Sequence, residues 1–263
     1  MMLSQNQIEY IIDVAKKSGE VAVGYFNKKN FNVSRKPDNS EVTCADIEIS
    51  KIIGAALGKN FSDIPVICEE GDLRNHDFET FFLIDPIDGT GSFAKFNEEF
   101  SINIALVKDK KVVFGLIYAP LFEGGKMIYS NANGKTVLET KSGERSIKTM
   151  EKVDGIKIVT SKRTKDEKLK LYMDIYHPGV ETYEVVRVSS AVKFFYLIES
   201  RVNLYLHFRP SMEWDIASGH YLVELIGGEL KKLNITPDNI DLDGEFSYNK
   251  KDYLNGPFVA KIT

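Results

Sequence analysis

The chain has 263 residues, 43% of them hydrophobic and 27% charged; this is enough apolar material for a substantial core and excludes a disordered or low-complexity chain. A formal net charge of −4 excludes the clustered basic surface of a nucleic-acid binder, while small anionic substrates stay open if cations supply the charge. The opening MMLSQNQIEYIIDVAKK has no basic segment leading into an apolar run, and no stretch approaches the roughly 18 apolar residues of a membrane span, so a cytoplasmic chain with no integral membrane association is expected. Two cysteines, Cys44 and Cys68, make no disulfide framework, and His76, His177, His207 and His220 lack zinc spacing. Any bound metal is therefore expected to have oxygen ligands.

Along the chain, Ile8, Ile11, Ile12, Ala15, Ala22 and Phe26 recur at a helical period over residues 4–27, with Ser4 and Gln7 as a capping box. A second helix is expected after Thr43, with Ile49, Ile52, Ile53, Ala56 and Leu57 on its apolar side. Short apolar runs at 64–68, 81–84, 101–107 and 112–118 read as strands, the last two joined by the turn KDKK. This first half, residues 1–150, predicts helices packed on an antiparallel sheet. From 151 to 263 the pattern becomes strand IKIVT, helix KDEKLKLYMDIY, strand YEVVRV, helix AVKFFYLIES, strand VNLYLHF and helix WDIASGHYLVELI, an α/β alternation. The polar stretch 139–155 reads as the connection between two subdomains that meet near Met150.

The chemistry concentrates in FFLIDPIDGTGSF, where an apolar strand ends in Asp85, Pro86, Ile87, Asp88, Gly89 and Thr90 before a candidate helix. Pro86 fixes the backbone between two carboxylates and can aim the Ile87 carbonyl beside them, and Gly89 permits a tight turn. The amides of Gly89, Thr90 and Gly91 then start a helix, where a phosphate is favoured. Carboxylates repel a phosphate unless divalent cations lie between them, and Mg²⁺ takes such oxygen ligands. The pattern D-P-x-D-G also suits an ordinary surface turn. Two further segments add carboxylates: VICEEG places Glu69 and Glu70 after a strand, and EWDIASGH places Asp215 at a helix start beside Trp214.

E-E after a strand, then D-P-I-D-G-T, then W-D-I-A-S-G-H resembles the signature of the inositol monophosphatase superfamily from about residue 5 onward. The resemblance implies a layered αβαβα sandwich, α/β (α+β) in class, of the inositol monophosphatase and fructose-1,6-bisphosphatase type. It implies about two or three Mg²⁺ ions, which Mn²⁺ can replace, held by Glu69, Asp85, the Ile87 carbonyl, Asp88 and Asp215, and it implies inhibition by Li⁺. Asp46, in VTCADIE, would pair with Thr90, and these two with Glu69 would form the catalytic group that orients the attacking water; a plain helix cap is the competing explanation for Asp46.

Within the superfamily, EEFSINIALV, GLIYAP, SSAVKF and RPSMEWDIASGH resemble the CysQ-type 3′(2′),5′-bisphosphate nucleotidases. The substrate implied is adenosine 3′(2′),5′-bisphosphate, bound by Asp88, Gly89, Thr90 and Asp215 at the scissile phosphate and by Ser190, Lys193 and Arg209 at the ribose and second phosphate. Lys193 could equally face solvent on a helix whose apolar side is Val192, Phe195 and Tyr196. Val188, LHFRP and SKRT depart from the usual pattern of that group. An inositol-1-phosphate or sugar-phosphate phosphatase is the enzymatic alternative, and a silent metal or nucleotide sensor the alternative of another class. Monomer and homodimer both fit.

Overall fold

A computed structural model describes residues 3–29, 32–35, 41–71 and 77–263; His76 lies outside them. Helix α1 (Gln5–Lys28) starts on the Ser4–Gln7 capping box, and α2 (Cys44–Asn60) starts on a Thr43–Asp46 capping box. Between them β1 (Val33–Arg35) and β2 (Glu41–Thr43) pair antiparallel. A seven-stranded sheet follows, made in order of β3 (Val66–Cys68), β4 (Thr80–Asp88), β5 (Ser101–Lys108), β6 (Lys111–Ala119), β7 (Lys126–Ser130), β8 (Thr136–Thr140) and β9 (Arg145–Ile147). The one-turn α3 (Thr90–Phe93) sits between β4 and β5. The turn between β5 and β6 is a tight hairpin in which Asp109 and Lys110 both take positive φ, the geometry that follows the twist of the flanking strands.

The second half supplies β10 (Lys157–Thr160), α4 (Asp166–Tyr176), β11 (Glu184–Arg187), α5 (Lys193–Ile198), β12 (Leu204–His207), β13 (Ser211–Met212), α6 (Glu213–Leu225), β14 (Glu229–Ile235), β15 (Ile240–Leu242), β16 (Leu254–Asn255) and β17 (Phe258–Lys261). Its main sheet runs β11-β10-β12-β17-β14-β15, parallel across β11-β10-β12 and antiparallel beyond, with β17 inserted between β12 and β14. No helix among the described residues is long and apolar enough to cross a membrane.

Alternation along the strands sorts side chains into layers. On one face of the first sheet Phe82, Ile84, Ile104 and Leu116 pack with Ile8, Ile12 and Ala15 of α1 and Ile49, Ile53 and Leu57 of α2. On its other face Ile117 and Ile128 meet Phe194 and Phe195 of α5, Leu222 and Val223 of α6, and Tyr205 and Phe258 of the second sheet. Beyond that sheet Ile158, Leu206 and Val259 pack on Leu169, Tyr172 and Met173 of α4. Each buried Ile, Leu or Phe contributes roughly 1.5–3 kcal/mol. The order is therefore helix, sheet, helix, sheet, helix, as expected. The middle layer is tight: a Cβ on Gly115 of β6 would lie 2.7 Å from the Ser218 carbonyl of α6, so α6 rests directly on the first sheet.

Four expectations are corrected. The first sheet is not wholly antiparallel, because β3 pairs parallel to β4. The stretch 139–155 is not simply a connection: it contains the end of β8 and all of β9. The strand read at 81–84 continues through Asp88, so both aspartates lie within it rather than beyond its end. The helix expected after Gly89 is a single turn, with Asn97 N–H folding back to the Ser92 carbonyl soon after it.

Candidate metal centre and substrate cleft

The aspartates of β4 meet because the strand is irregular between them. Asp85 stands opposite Asn103 and Asp88 opposite Ser101, so three steps on β4 match two on β5. That extra residue is a bulge at Pro86–Ile87, the kind of place where a strand accepts a proline. In a regular strand positions i and i+3 face opposite sides; the bulge restores the same side to both. Asp85 Oδ1 accepts the Ile87 N–H at 3.1 Å, which braces the bulge.

Parallel pairing of β3 with β4 places Glu69 next, with its N–H donating to the Ile84 carbonyl at 3.1 Å. Asp215 comes from the first turn of α6, where its Oδ2 accepts the Met212 N–H at 2.8 Å. Carboxylate oxygens of Asp85, Asp88 and Asp215 lie within 4.8 Å of one another. Glu69, Ile87, Gly89 and Thr90 line the same recess together with Arg35 and Glu41 of the β1–β2 pair, Glu41 lying against Gly91. Glu69 and Glu70 both have interaction partners.

Burial and mutual repulsion dominate the electrostatics. Asp85 is held well above the usual carboxylate range by burial first and then by the charges of Glu69 and Asp88; Asp215 is raised likewise by burial, Asp88 and Glu69. Asp88 is pushed to about 6 by burial, against the pull of the Lys193 charge and the Ala191 N–H. Such a cluster is unfavourable as bare charge and favourable around a cation. The donor set is all oxygen, which fits a hard divalent ion and not zinc.

Asp46 makes both contacts that the sequence offered as alternatives, the helix cap and the bond to Thr90. Its Oδ2 accepts the Thr43 N–H at 2.8 Å, capping α2, while its Oδ1 accepts from Thr90 Oγ1 at 3.1 Å. The same hydroxyl lies 3.0 Å from the Ile87 carbonyl. Asp46 is fully buried, and burial raises it to about 6 despite its Thr43 hydrogen bonds. Thr90 thus joins the bulge carbonyl to a buried acid.

The recess opens into a cleft of about 490 Å³ that shares Asp88, Gly89, Gly91, Arg163 and Asp215 with it. Ser190, Lys193 and Arg209 line this cleft with Lys95, Lys162, Tyr205 and His207. Lys193 does not face solvent: it is 4% exposed, its ammonium donates to the Ser190 carbonyl, and it sits 5.4 Å over the Tyr205 ring. Burial lowers it to about 8, opposed by Asp88 and Asp215. The helical pattern misassigned Lys193 because α5 is only six residues long and all but Tyr196 are buried. Arg209 is exposed at the cleft mouth. Cys68 is a buried thiol 3.0 Å from Ser50 Oγ, raised by burial. Residues at the site that sequence reasoning passed over are Arg35, Glu41, Lys95, His207 and Tyr205, none of which carried a local signal.

An all-oxygen acidic centre opening into a cation-lined cleft, on an αβαβα sandwich, defines a metal-dependent phosphoester hydrolase. The chain belongs to the inositol monophosphatase family, whose model matches residues 4–261. It is 31% identical to the 3′(2′),5′-bisphosphate nucleotidase CysQ of Salmonella typhimurium over 240 residues, covering 88% of this chain and 94% of that protein. Against the CysQ of Buchnera aphidicola it is 30% identical over 263 residues, with 97% and 94% covered. Among solved structures, CysQ from Bacteroides thetaiotaomicron superposes with a TM-score of 0.80 at 26% identity, covering 98% of this chain and 97% of that one. The inositol monophosphatase of Anabaena (Nostoc) shares the fold, with a TM-score of 0.70 at 23% identity over 98% and 90% of the two chains.

Proposed function

We propose that the chain hydrolyses the 3′(2′)-phosphate of adenosine 3′(2′),5′-bisphosphate to give AMP and phosphate, with Mg²⁺ as the metal. The observation that carries this reading is the continuity of the acidic recess with a cleft whose wall bears Lys95, Lys162, Arg163, Lys193 and Arg209. A substrate with one phosphate for the metals leaves that wall unmatched, and a second phosphate matches it. The similarity to CysQ proteins over most of the chain supports the same choice.

In this reading Glu69, Asp85, the Ile87 carbonyl, Asp88 and Asp215 would hold about two or three ions, which would supply charge neutralisation at the phosphate and a more acidic water. Thr90 and Asp46 do the positioning. The Asp46 carboxylate takes the Thr90 hydroxyl hydrogen, which leaves the Thr90 oxygen free to accept from the nucleophilic water and aim it at phosphorus. Gly89 stays small at φ 89° so that the turn clears Ser190 and Glu99. Ser190, Lys193 and Arg209 take the ribose and second phosphate. The two subdomains divide at about residue 150, the first carrying most metal ligands and the second Asp215 and the specificity wall.

Initial rates on a panel of nucleotide, inositol and sugar phosphates test the substrate. With Mg²⁺, kcat/KM for adenosine 3′,5′-bisphosphate is expected to exceed that for inositol 1-phosphate by about tenfold or more, since an unmatched polar wall penalises the wrong ligand. A higher value for inositol 1-phosphate removes the nucleotide reading. Absence of turnover on every ester, with metal binding intact, leaves the sensor. For the water-positioning pair, Thr90→Val keeps the side-chain shape and removes the hydroxyl; kcat should fall about 10²-fold with KM nearly constant. Equal kcat for wild type and Thr90→Val in steady-state assays takes Thr90 out of the mechanism.

A further inference from the structure

One stretch of the cleft wall, residues 189–191, is held at both ends by carboxylates from the first half of the chain. The Ala191 N–H donates to Asp88 Oδ2. Two residues earlier the Ser189 N–H donates to Glu99 Oε2 at 2.8 Å, and Lys162 Nζ lies 2.8 Å from that same oxygen. Between the anchors Ser190 takes φ 53°, a left-handed conformation that a serine keeps only where its surroundings impose it. The junction has no slack, because a Cβ on Gly89 would lie 2.9 Å from Ser190 Cβ and 3.0 Å from the Glu99 carbonyl.

Glu99 therefore ties the turn that follows the metal-bearing strand to two separate parts of the wall: the 161–163 turn through Lys162, and the 189–191 strap. Its side chain is 18% exposed, while that of Lys162 is 43% exposed. Ser189, Ser190, Ala191 and Lys162 line the cleft and Glu99 does not. A carboxylate that touches the wall from behind, with two charge-assisted or backbone donors on one oxygen, fixes where the wall stands without meeting the ligand.

We propose that Glu99 is a positioning residue that sets affinity for the substrate's second phosphate and ribose, and that it has no part in the chemical step. The proposal rests on the nucleotide reading above. It acts through two contacts. The Ser189 bond holds the strap in the register that keeps Ser190 left-handed and its carbonyl on the Lys193 ammonium. The Lys162 ion pair keeps a flexible cation at a fixed place on the cleft rim. Neither contact involves Asp88, whose own bond from the Ala191 N–H stays in place, so turnover of bound substrate should survive their loss.

The test is the split between KM and kcat for wild type, Glu99→Ala and Glu99→Gln, measured on adenosine 3′,5′-bisphosphate and on p-nitrophenyl phosphate, which has no second phosphate. Glu99→Ala should raise KM for the nucleotide about tenfold to a hundredfold, as the loss of a charge-assisted pair predicts, with kcat within about threefold of wild type. Glu99→Gln keeps an oxygen for the Ser189 N–H, so it should raise that KM by a smaller factor, about threefold or more. KM for p-nitrophenyl phosphate should not move in either variant. Equal KM increases on both substrates, or a fall in kcat at constant KM, overturns the proposal. If Glu99→Ala does not fold, Glu99→Gln decides alone, and an unchanged nucleotide KM overturns the proposal. Lack of wild-type activity on the nucleotide would instead remove the substrate reading, and the split is then read on the ester the wild type prefers.

Discussion

Asp215→Asn is expected to lower kcat by about 10³-fold or more while raising the melting temperature of the chelator-treated protein. The first effect follows from the metal-ligand role proposed for Asp215, whose charge would be deleted. The second follows from the surroundings of Asp215, which burial, Asp88 and Glu69 all push toward the neutral form. An asparagine carbonyl keeps the bond from the Met212 N–H and removes one of the repelling charges. For a chain of this size each kcal/mol of relieved repulsion is worth roughly 2–4 °C. Phosphate-release kinetics at saturating Mg²⁺, with differential scanning fluorimetry in EDTA, check both effects. Near-wild-type turnover removes Asp215 from the metal centre. A lower melting temperature in EDTA shows that its carboxylate is structural, contrary to the charge argument.

Removing the metal should invert the pH dependence of stability. Asp46 and Asp88 stand at about 6 in the folded protein, and Asp85 and Asp215 stand well above the ordinary value. In the unfolded chain aspartates titrate at about 3.9. A folded pKa above the unfolded one means the folded state binds protons first. The stabilisation is complete below about pH 4 and is lost as pH rises through about 6 and beyond. A group moved by about two units accounts for at most about 3 kcal/mol. The stripped protein should therefore melt at a higher temperature at pH 6.5 than at pH 8. Across this interval the four raised aspartates act in one direction. Two groups act against them: Lys193, lowered to about 8 by burial, and, below about 6.5, His207, which burial and the Lys193 charge hold down at about 3. With saturating Mg²⁺ the trend should reverse, since protons compete with the metal for the same oxygens. Melting curves in EDTA that decline steadily from pH 8 to 6.5 contradict this account.

Sequence reasoning reached most elements whose local pattern is strong. Ser4 and Gln7 marked the start of α1, the KDKK turn marked the β5–β6 hairpin, and the strand–helix rhythm after residue 150 marked the second sheet. It missed β1, β2, β7, β8 and β9, each only three to five residues long, the last with all three residues exposed. It missed β13 and β15 to β17, which have two to four residues, and the longer β14, whose paired lysines break the alternation. At the site, the chemical types at 69, 85, 88 and 215 were legible as a pattern. The bulge that turns Asp85 and Asp88 to one side was not, because a register shift belongs to the pairing of two strands and not to either one. Glu99 was quoted only as part of a resembling string; its contacts with residues 162 and 189 become visible when the two halves are brought together.

The place of β17 bears on how the protein is made. Its residues 258–261 fill the gap between β12 and β14, so the second sheet is interrupted until they arrive. A chain leaving the ribosome can assemble its first sheet early, since successive hairpins there have mostly local pairings. The other sheet must wait, with strand edges open, for a partner encoded more than fifty positions downstream of β12. During that interval the facing edges of β12 and β14 are the ones most open to pairing with another chain.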